Sequence, residues 1–444
     1  MSEGGLGAPI RHPIGWREPI YYDTENLDAE LRRVFDICHG CRRCFNLCDS
    51  FPRLFDLIDE SESGELDTVN SKDFKQVVDA CTLCDMCFMT KCPYVPPHEF
   101  DLDFPHLMLR YRAWESKYGK GSITSRQLTK TDRNGKFGCK ISSLMNWACK
   151  TSNSFTRPVI QAVADIHREA VLPEFNPKPL NLVGREKPEI DKSAPAFGRK
   201  ALIYATCYGN FNNTAIGEAT IRVLAKNGIE TEILYPQCCG MPQLEQGELS
   251  EVASGAEVTA KELCNWIDLG YDIISLVSSC SLMMKFEWPL ILPENEFVKR
   301  LSIKTFDLSE YLVGISKNEG LAKGMRPLGG GIAVHMACHS RAQNMGQKAV
   351  ELLKAIPDLQ ISVIERCSGH GGSWGIMKNN FEVALKTGRP VFRDLAKLSP
   401  SEVVSECPLA RDHILQGIEK MGENTSTIGT ASHPVELIAR SYGL

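Results

Sequence analysis

The chain has 444 residues, 43% of them hydrophobic and 24% charged, with a net charge of −5 and a pI near 6.1. This is enough for two or three domains with ample core, and it gives no basic field for a nucleic-acid partner. No apolar run approaches the ~20 residues that span a bilayer, and Met1 to Glu18 holds no apolar signal stretch. A cytoplasmic chain is therefore expected, with peripheral membrane contact left open, and its 18 cysteines read as metal ligands rather than disulfides.

Residues 1–26, with Pro9, Pro13, Pro19, Trp16, Tyr21 and Tyr22, read as an irregular arm. Leu27, Leu31, Val34 and Phe35 then recur at helical spacing and predict a helix running into Cys38. There the chain sets Cys38, Cys41, Cys44 and Cys48, and repeats the pattern as Cys81, Cys84, Cys87 and Cys92. Three thiolates at two-residue gaps with a fourth further on is the ligand pattern of a [4Fe–4S] cluster, and in two-cluster proteins the fourth cysteine of each run serves the other cluster. That rule groups Cys38, Cys41, Cys44 and Cys92 as one set, and Cys48, Cys81, Cys84 and Cys87 as the other. The second run has four residues before its last cysteine where three are usual, and Asp49 stands where a proline would follow Cys48. CxxC pairs also hold structural zinc, but a zinc knuckle has no use for a third cysteine three residues on. Between the runs, Phe55 to Leu66 reads as an acidic loop and Ser71 as the start of a short helix. Residues 27–118 thus read as an α-helical ferredoxin-like domain, closed by a helix within 98–118.

Residues 119–195 read as a helical and linker region. Gly119 to Gly138 is expected to be a polar, basic loop, 154–170 a helix, and Pro173, Pro177, Pro179, Pro188 and Pro195 a linker. Beyond it, short apolar runs alternate with amphipathic helices. Strands are predicted at Ala201–Thr206, Thr231–Leu234 and Asp272–Ser278, with helices at Ala215–Lys226, Val252–Asp268 and Leu308–Ile315, the alternation of a parallel sheet with crossover helices. Further strands are predicted at Ile332–Ala337, Ile361–Ile364 and Val403–Ser405, with a helix at Ala349–Ile356.

These strands and their cysteines repeat. Cys207, Cys238 and Cys280 are spaced by 31 and 42 residues, and Cys338, Cys367 and Cys407 by 29 and 40. Two half-domains, 196–318 and 331–444, are expected to face each other, with Gly329-Gly330-Gly331 in the linker. Each cysteine lies just past a predicted strand end, where open α/β sheets bind ligands. The first copy gathers Cys207, Cys238, Cys239 and Cys280; the second has Cys338, Cys367 and Cys407, with Ser368 in place of a paired cysteine and Gly369-His370-Gly371-Gly372 after it.

The pattern Cys…Cys-Cys-Gly…Cys resembles the cysteine-rich CCG domain. A ferredoxin part joined to two such domains resembles the CCG iron–sulfur oxidoreductase family, which includes the iron–sulfur subunits of anaerobic glycerol-3-phosphate dehydrogenase and glycolate oxidase and heterodisulfide-reductase-related proteins. The similarity runs from about Asp36 to the closing His433-Pro434-Val435-Glu436-Leu437. It implies α/β half-domains behind two [4Fe–4S] clusters, and a third iron–sulfur centre at Cys207, Cys238, Cys239 and Cys280. In heterodisulfide reductases such a centre attacks a disulfide, which makes Cys239 the candidate catalytic residue. The chain departs from the full motif at Met283 and Ala410, where a further cysteine would stand. The second copy is left with Cys338, Cys367 and Cys407, which a histidine such as His339 or His370 could complete.

Cys139, Cys149 and Cys264 fall outside ligand spacing and read as buried free thiols, and His335 and His339 as packed histidines. Arg42, Arg43 and Lys91 read as solvated residues of the cluster loops. No GxGxxG follows a strand and no phosphate loop occurs, so any flavin or nicotinamide is expected on a separate polypeptide. The expected function is electron relay between a flavin dehydrogenase, or another redox protein such as a rubrerythrin-like di-iron protein, and a quinone or other carrier. Reduction of a disulfide at the CCG cysteines is the alternative.

Overall fold

A computed structural model describes residues 9–184 and 187–444; the first eight residues of the expected arm lie outside it. The N-terminal part begins with α1 (Thr24–Cys41), capped by Asp23, whose carboxylate accepts from the Asn26 amide at 2.8 Å. Its buried stripe is Leu27, Leu31, Val34 and Phe35, as the periodicity predicts. Next come α2 (Ser50–Asp59), α3 (Lys75–Ala80) and α4 (Phe104–Lys117). The acidic loop expected from Phe55 is helical to Asp59, because Phe51, Leu54, Phe55 and Ile58 form a continuous buried stripe that outweighs the acids.

The polar loop expected over Gly119–Gly138 is also a correction. It folds as α5 (Ile123–Leu128) and most of α6 (Thr131–Lys140), followed by α7 (Ser142–Cys149), α8 (Thr156–Ala164) and a short α9 (Leu180–Val183). Gly135 and Gly138, which suggest a loop in the sequence, are there for contact. A Cβ on Gly135 would lie 2.2 Å from the Phe211 ring, and one on Gly138 2.5 Å from the Phe175 ring. The helix can only lie this close to its neighbours without those side chains.

The first sheet has four parallel strands, β1 (Lys200–Tyr204), β2 (Glu230–Leu234), β3 (Asp272–Ser275) and β4 (Thr305–Asp307), in the order β2-β1-β3-β4. The second has β5 (Gly331–His335), β6 (Gln360–Ile364) and β7 (Glu402–Ser405), also parallel, in the order β6-β5-β7. Each sheet places its first strand between its second and third. The sequence places the strands within a few residues, except that β4 is too short to announce itself and Gly331 belongs to β5 rather than to the linker.

Helices of the first half are α10 (Cys207–Phe211), α11 (Thr214–Lys226), α12 (Met241–Glu245), α13 (Leu249–Asp268), α14 (Ser278–Leu282), α15 (Trp288–Ile291), α16 (Glu296–Lys304) and α17 (Leu308–Asn318). The second half adds α18 (Cys338–Ala342), α19 (Lys348–Leu353), α20 (Phe381–Leu398), α21 (Pro408–Lys420) and α22 (Pro434–Tyr442). The sequence pattern does not foresee α20, which carries Gly388 and Pro390 inside it. One hydrophobic core extends from Ile14 through α1 and the first sheet to Ala439 of α22, so the helical part, the sheets and the C-terminus are packed as one body. The strand ends of the two sheets meet: the Ser278 hydroxyl donates to the Glu406 carbonyl at 3.2 Å, and Gln343 donates to the Ser278 carbonyl at 3.3 Å.

Candidate functional site

Cys38 and Cys41 lie on the last turn of α1, which Arg42 ends in a left-handed conformation (φ 52°). Cys44 follows in a turn and Cys48 precedes α2. Cys81 follows α3 directly; the loop then bends through Leu83 (φ 48°) and Asp85 (φ 64°), placing Cys84 between the two bends. Cys87 opens a π-helical turn, across which the Cys92 amide donates to the Cys87 carbonyl at 2.8 Å.

Electrostatics show which thiols are neighbours. Burial first, then the charges of Cys92, Cys44 and Cys41, pushes the Cys38 thiol well above its usual range. The same causes, with Cys92 and Cys41 after burial, take Cys44 to about 12, against the opposing pull of Lys91 and Arg43. Cys87 is raised by burial and then by Cys84, Cys81, Cys48 and Cys44. The thiols that raise one another are therefore Cys38, Cys41, Cys44 and Cys92, and Cys48, Cys81, Cys84 and Cys87, with Cys44 also acting on Cys87. Arg42 is turned aside to Asp59, which pairs at 2.9 Å with Arg42 Nη1 and at 2.8 Å with His39.

At the first sheet, Cys207 heads α10 immediately after Thr206, a β-branched residue held at φ 56°. That conformation is costly for threonine. It is held by the Thr206 hydroxyl, which accepts from the Gly209 amide at 3.0 Å. Cys238 and Cys239 follow β2, and Gly240 (φ 87°) opens α12. Cys280 sits in α14, beyond β3. The Cys207 and Cys238 sulfurs are 3.8 Å apart. The contact with the Cys207 sulfur, first, and the neighbouring Cys239 and Gly240 draw the Cys238 thiol well below its usual range despite burial. Its neighbours Cys207 and Cys239 are raised.

Residues that the sequence did not single out fix this group. The Cys238 amide donates to Asp132 Oδ2 at 3.1 Å, and the Tyr235 hydroxyl is paired with Asp132 Oδ1. Trp288, fully buried, donates its indole N–H to the Cys239 carbonyl at 3.0 Å. Asp132 was findable: it is the one acid among eight Lys and Arg between residues 119 and 164. Beside Cys238 and Cys239 opens a cavity of about 260 Å³, with Lys130, Arg133, Gln237 and Gln243 among its lining.

In the second half, Cys338 heads α18, Cys367 is exposed in the loop after β6, and Cys407 caps α21. Burial and then Cys84, Cys367 and Cys407 raise Cys338. Cys407 is pushed up to about 11, by burial first, with Asp412 and Cys280 among the lesser causes. Cys48 and Cys84 both feel Cys367. This trio is thus coupled electrostatically to Cys84 and to Cys280. Both ring nitrogens of His339 are engaged, with Ser279 Oγ at 2.8 Å and the Leu83 carbonyl at 3.3 Å. His335 is likewise held by Ser405 and the Arg366 carbonyl, while burial holds the partly buried His370 to about 3. Ser368 is buried against α20, where a Cβ on Gly388 would lie 2.2 Å from its carbonyl. Cys139, Cys149 and Cys264 join none of these groups; Cys139 and Cys264 contact the carbonyls of Phe211 and Phe297 at 3.5 and 3.4 Å. Among the described residues, no three His, Cys, Asp or Glu side chains are drawn together tightly enough for a single metal ion.

Residues 201–285 match the CCG cysteine-rich domain family. The chain is 23% identical over 323 residues to one component of the anaerobic glycerol-3-phosphate dehydrogenase of Escherichia coli (strain K12), covering 72% of this chain and 77% of that protein. It is 27% identical over 231 residues to one component of the fumarate reductase (CoM/CoB) of Methanothermobacter marburgensis, covering 51% and 43%. A third relative, lactate utilization protein A of Geobacillus thermodenitrificans, is 28% identical over 187 residues, covering 40% and 74%. The resemblance to the CCG iron–sulfur family is therefore found by comparison as well as by cysteine spacing. Two of these relatives are named as subunits, one of a dehydrogenase and one of a reductase.

Proposed function

We propose that this chain is the electron-relay component of an oxidoreductase. Its [4Fe–4S] groups would be held by Cys38, Cys41, Cys44 and Cys92, and by Cys48, Cys81, Cys84 and Cys87. A further iron–sulfur centre would be held by Cys207, Cys238, Cys239 and Cys280. The donor chemistry fits: each set is four free thiols, and thiolates are the ligands such groups take. Bound there, the clusters would supply one-electron chemistry at potentials set by burial and hydrogen bonding.

The observation that carries this reading is a succession of thiols, each acting electrostatically on the next. It runs from the Cys38 set through Cys44 to Cys87, from Cys48 and Cys84 to Cys367, on to Cys338 and Cys407, and from Cys407 to Cys280. The cysteines of the second half lie within this path. The matching strand order of the two sheets supports reading residues 196–318 and 331–444 as duplicated CCG half-domains behind a ferredoxin-like part, 27–118. Electrons would pass between a flavin dehydrogenase oxidising a small hydroxy compound and a quinone or other carrier, with the chain in the cytoplasm. Anaerobic purification with iron and sulfide analysis and EPR tests the reading: about 8 Fe per chain means the ferredoxin pair, about 12 adds the CCG centre. A chain without iron after anaerobic reconstitution would sink it.

The cavity beside Cys238 and Cys239 favours one second reading, reduction of a disulfide or thiol substrate at that site. It requires the isolated chain to turn over a disulfide with reduced dye and Cys239→Ser to abolish turnover. The relay reading requires no turnover without a partner.

A further inference from the structure

The region between α4 and the first sheet carries charge and apolar surface out of keeping with the rest. Residues 119–164 hold eight Lys or Arg and one acid; Arg157 is buried and Arg126 and Lys130 pair with Glu248 and Glu251, which leaves Lys120, Arg133, Lys136, Lys140 and Lys150 exposed. The same stretch exposes large apolar side chains: Phe137 at 59%, Leu144 at 56%, Trp147 at 54%, Phe155 at 84%, Val159 at 60% and Val163 at 75%.

Helical geometry sorts these residues onto outer faces. In α6 the inner side is Gly135, Gly138 and Cys139, packed against Phe211 and Phe175, and the opposite side presents Arg133, Lys136, Phe137 and Lys140. In α7 the inner side is Ser142 and Asn146, the latter bonded to the Phe175 backbone, and Leu144 and Trp147 point away. In α8 the inner anchor is Arg157, 2% exposed, which donates to the carbonyls of His167, Arg168 and Ala170, while Val159 and Val163 stand opposite. The three helices are thus fixed from behind, and among the described residues their apolar outer side chains are exposed.

We propose that this face docks on an anionic lipid surface. Aromatic and aliphatic side chains set among exposed lysines and arginines are what an interfacial helix uses: the apolar groups enter the headgroup boundary and the cations meet lipid phosphates. Among the described residues no helix is long and apolar enough to cross a membrane, so the contact is peripheral. The placement has a consequence for the site. Helix α6 carries the docking residues on its outer side, while Asp132 at its first turn holds the Cys238 amide and Lys130 and Arg133 line the cavity beside Cys238 and Cys239. Docking would set that cavity next to the lipid. The inference rests on exposure, charge and helix packing, and stands whether or not the electron-relay reading does.

The test is co-sedimentation of the full chain, purified anaerobically, with vesicles of phosphatidylcholine alone or mixed with phosphatidylglycerol. Binding to the mixed vesicles is expected to exceed binding to the neutral ones by ~10-fold or more and to fall with added salt. Lys136→Glu/Lys140→Glu is expected to weaken it at least ~10-fold, and so is Leu144→Ser/Trp147→Ser. All four positions are exposed, so unchanged thermal unfolding and visible absorbance will show that the variants fold. Equal sedimentation with both vesicle types, or variants that bind like the parent, overturns the proposal. So does a chain that ignores vesicles but dimerises in a concentration-dependent way that Leu144→Ser/Trp147→Ser abolishes, because the face would then cover a second copy.

Discussion

The Arg11 guanidinium lies 2.6 Å from Asp85 Oδ1, which joins the N-terminal arm to the loop between Cys84 and Cys87. Arg11 also pairs with Asp103 at 2.9 Å and Glu287 at 3.1 Å, and it stacks over the Phe88 ring at 4.4 Å. One cation therefore ties the arm, the second cysteine loop, α4 and the helical turn before α15. Its side chain is only 11% exposed. Arg11→Ala would leave Asp85, Asp103 and Glu287 with His106 alone to balance them in a nearly dry space, and breaking a buried pair by removing one partner costs about 3 kcal/mol. Denaturant unfolding is expected to show a loss of that order, and limited proteolysis faster cleavage of the arm. A loss below about 1 kcal/mol, the value of a surface pair, would mean that the network is solvated.

The same network sets a pH dependence. His106 sits 3.2 Å from Glu287 and 3.4 Å from Asp103. Burial and the Arg11 charge would lower its pKa, but Asp103 and Glu287 overcome both and raise it above 6.5. A raised histidine contributes stability that is complete below its unfolded pKa, near 6.5, and is lost as the pH rises through the folded value. Glu287 has the opposite sign. Burial would raise it, yet His106 and Arg11 hold it to about 2, so its contribution is present above 4.5 and lost as the pH falls below that. His106→Gln should therefore lower Tm most near pH 6 and progressively less toward pH 9. A Tm difference that does not change with pH would rule out a charged His106.

The neighbourhoods of the eight N-terminal cysteines predict which substitutions share a phenotype. Cys92→Ala should perturb the same EPR signal as Cys38→Ala, and Cys48→Ala the same signal as Cys84→Ala, although each pair draws on both sequence runs. If Cys92→Ala matches Cys84→Ala instead, each run serves its own cluster.

Much of this arrangement is legible in the chain because it is periodic. The buried stripe of α1, the alternation of β1, β2 and β3 with helices, and the matched cysteine spacings all announce themselves. What stays hidden depends on contacts between distant segments. Gly135 and Gly138 look like loop residues until Phe211 and Phe175 occupy the space their side chains would fill. Gly388 masks α20 for the same reason, since it is required where the helix crosses Ser368. The links Asp132–Cys238 and Arg11–Asp85 span 106 and 74 residues, and local pattern cannot anticipate them.

Close backbone approach also makes the last prediction, at Gly247. This residue adopts φ 72°, and a Cβ there would lie 2.3 Å from the Arg112 carbonyl carbon and the Ala113 amide of α4. Backbone, unlike a side-chain tip, cannot swing aside. The contact sits where α4 meets the loop after α12, and Arg112 bridges it: its guanidinium donates to the Glu245 carbonyl at 2.9 Å, to the Val78 carbonyl at 2.7 Å and to the Cys81 carbonyl. Gly247→Ala therefore combines a left-handed backbone that alanine resists with an overpacked junction, about 1 kcal/mol for the first and about 1–3 kcal/mol for the second. Because Arg112 grips the carbonyl of Cys81, the strain should reach the second cysteine loop as well as global stability. Chemical denaturation should show a loss of about 2 kcal/mol or more, and the EPR line shape assigned by Cys84→Ala should shift while that assigned by Cys38→Ala does not. Gly64→Ala is the control, because it shares the left-handed backbone (φ 72°) but meets no atom within 4 Å. If the two alanine variants lose equal stability, the close approach of α4 contributes nothing and only the backbone term remains.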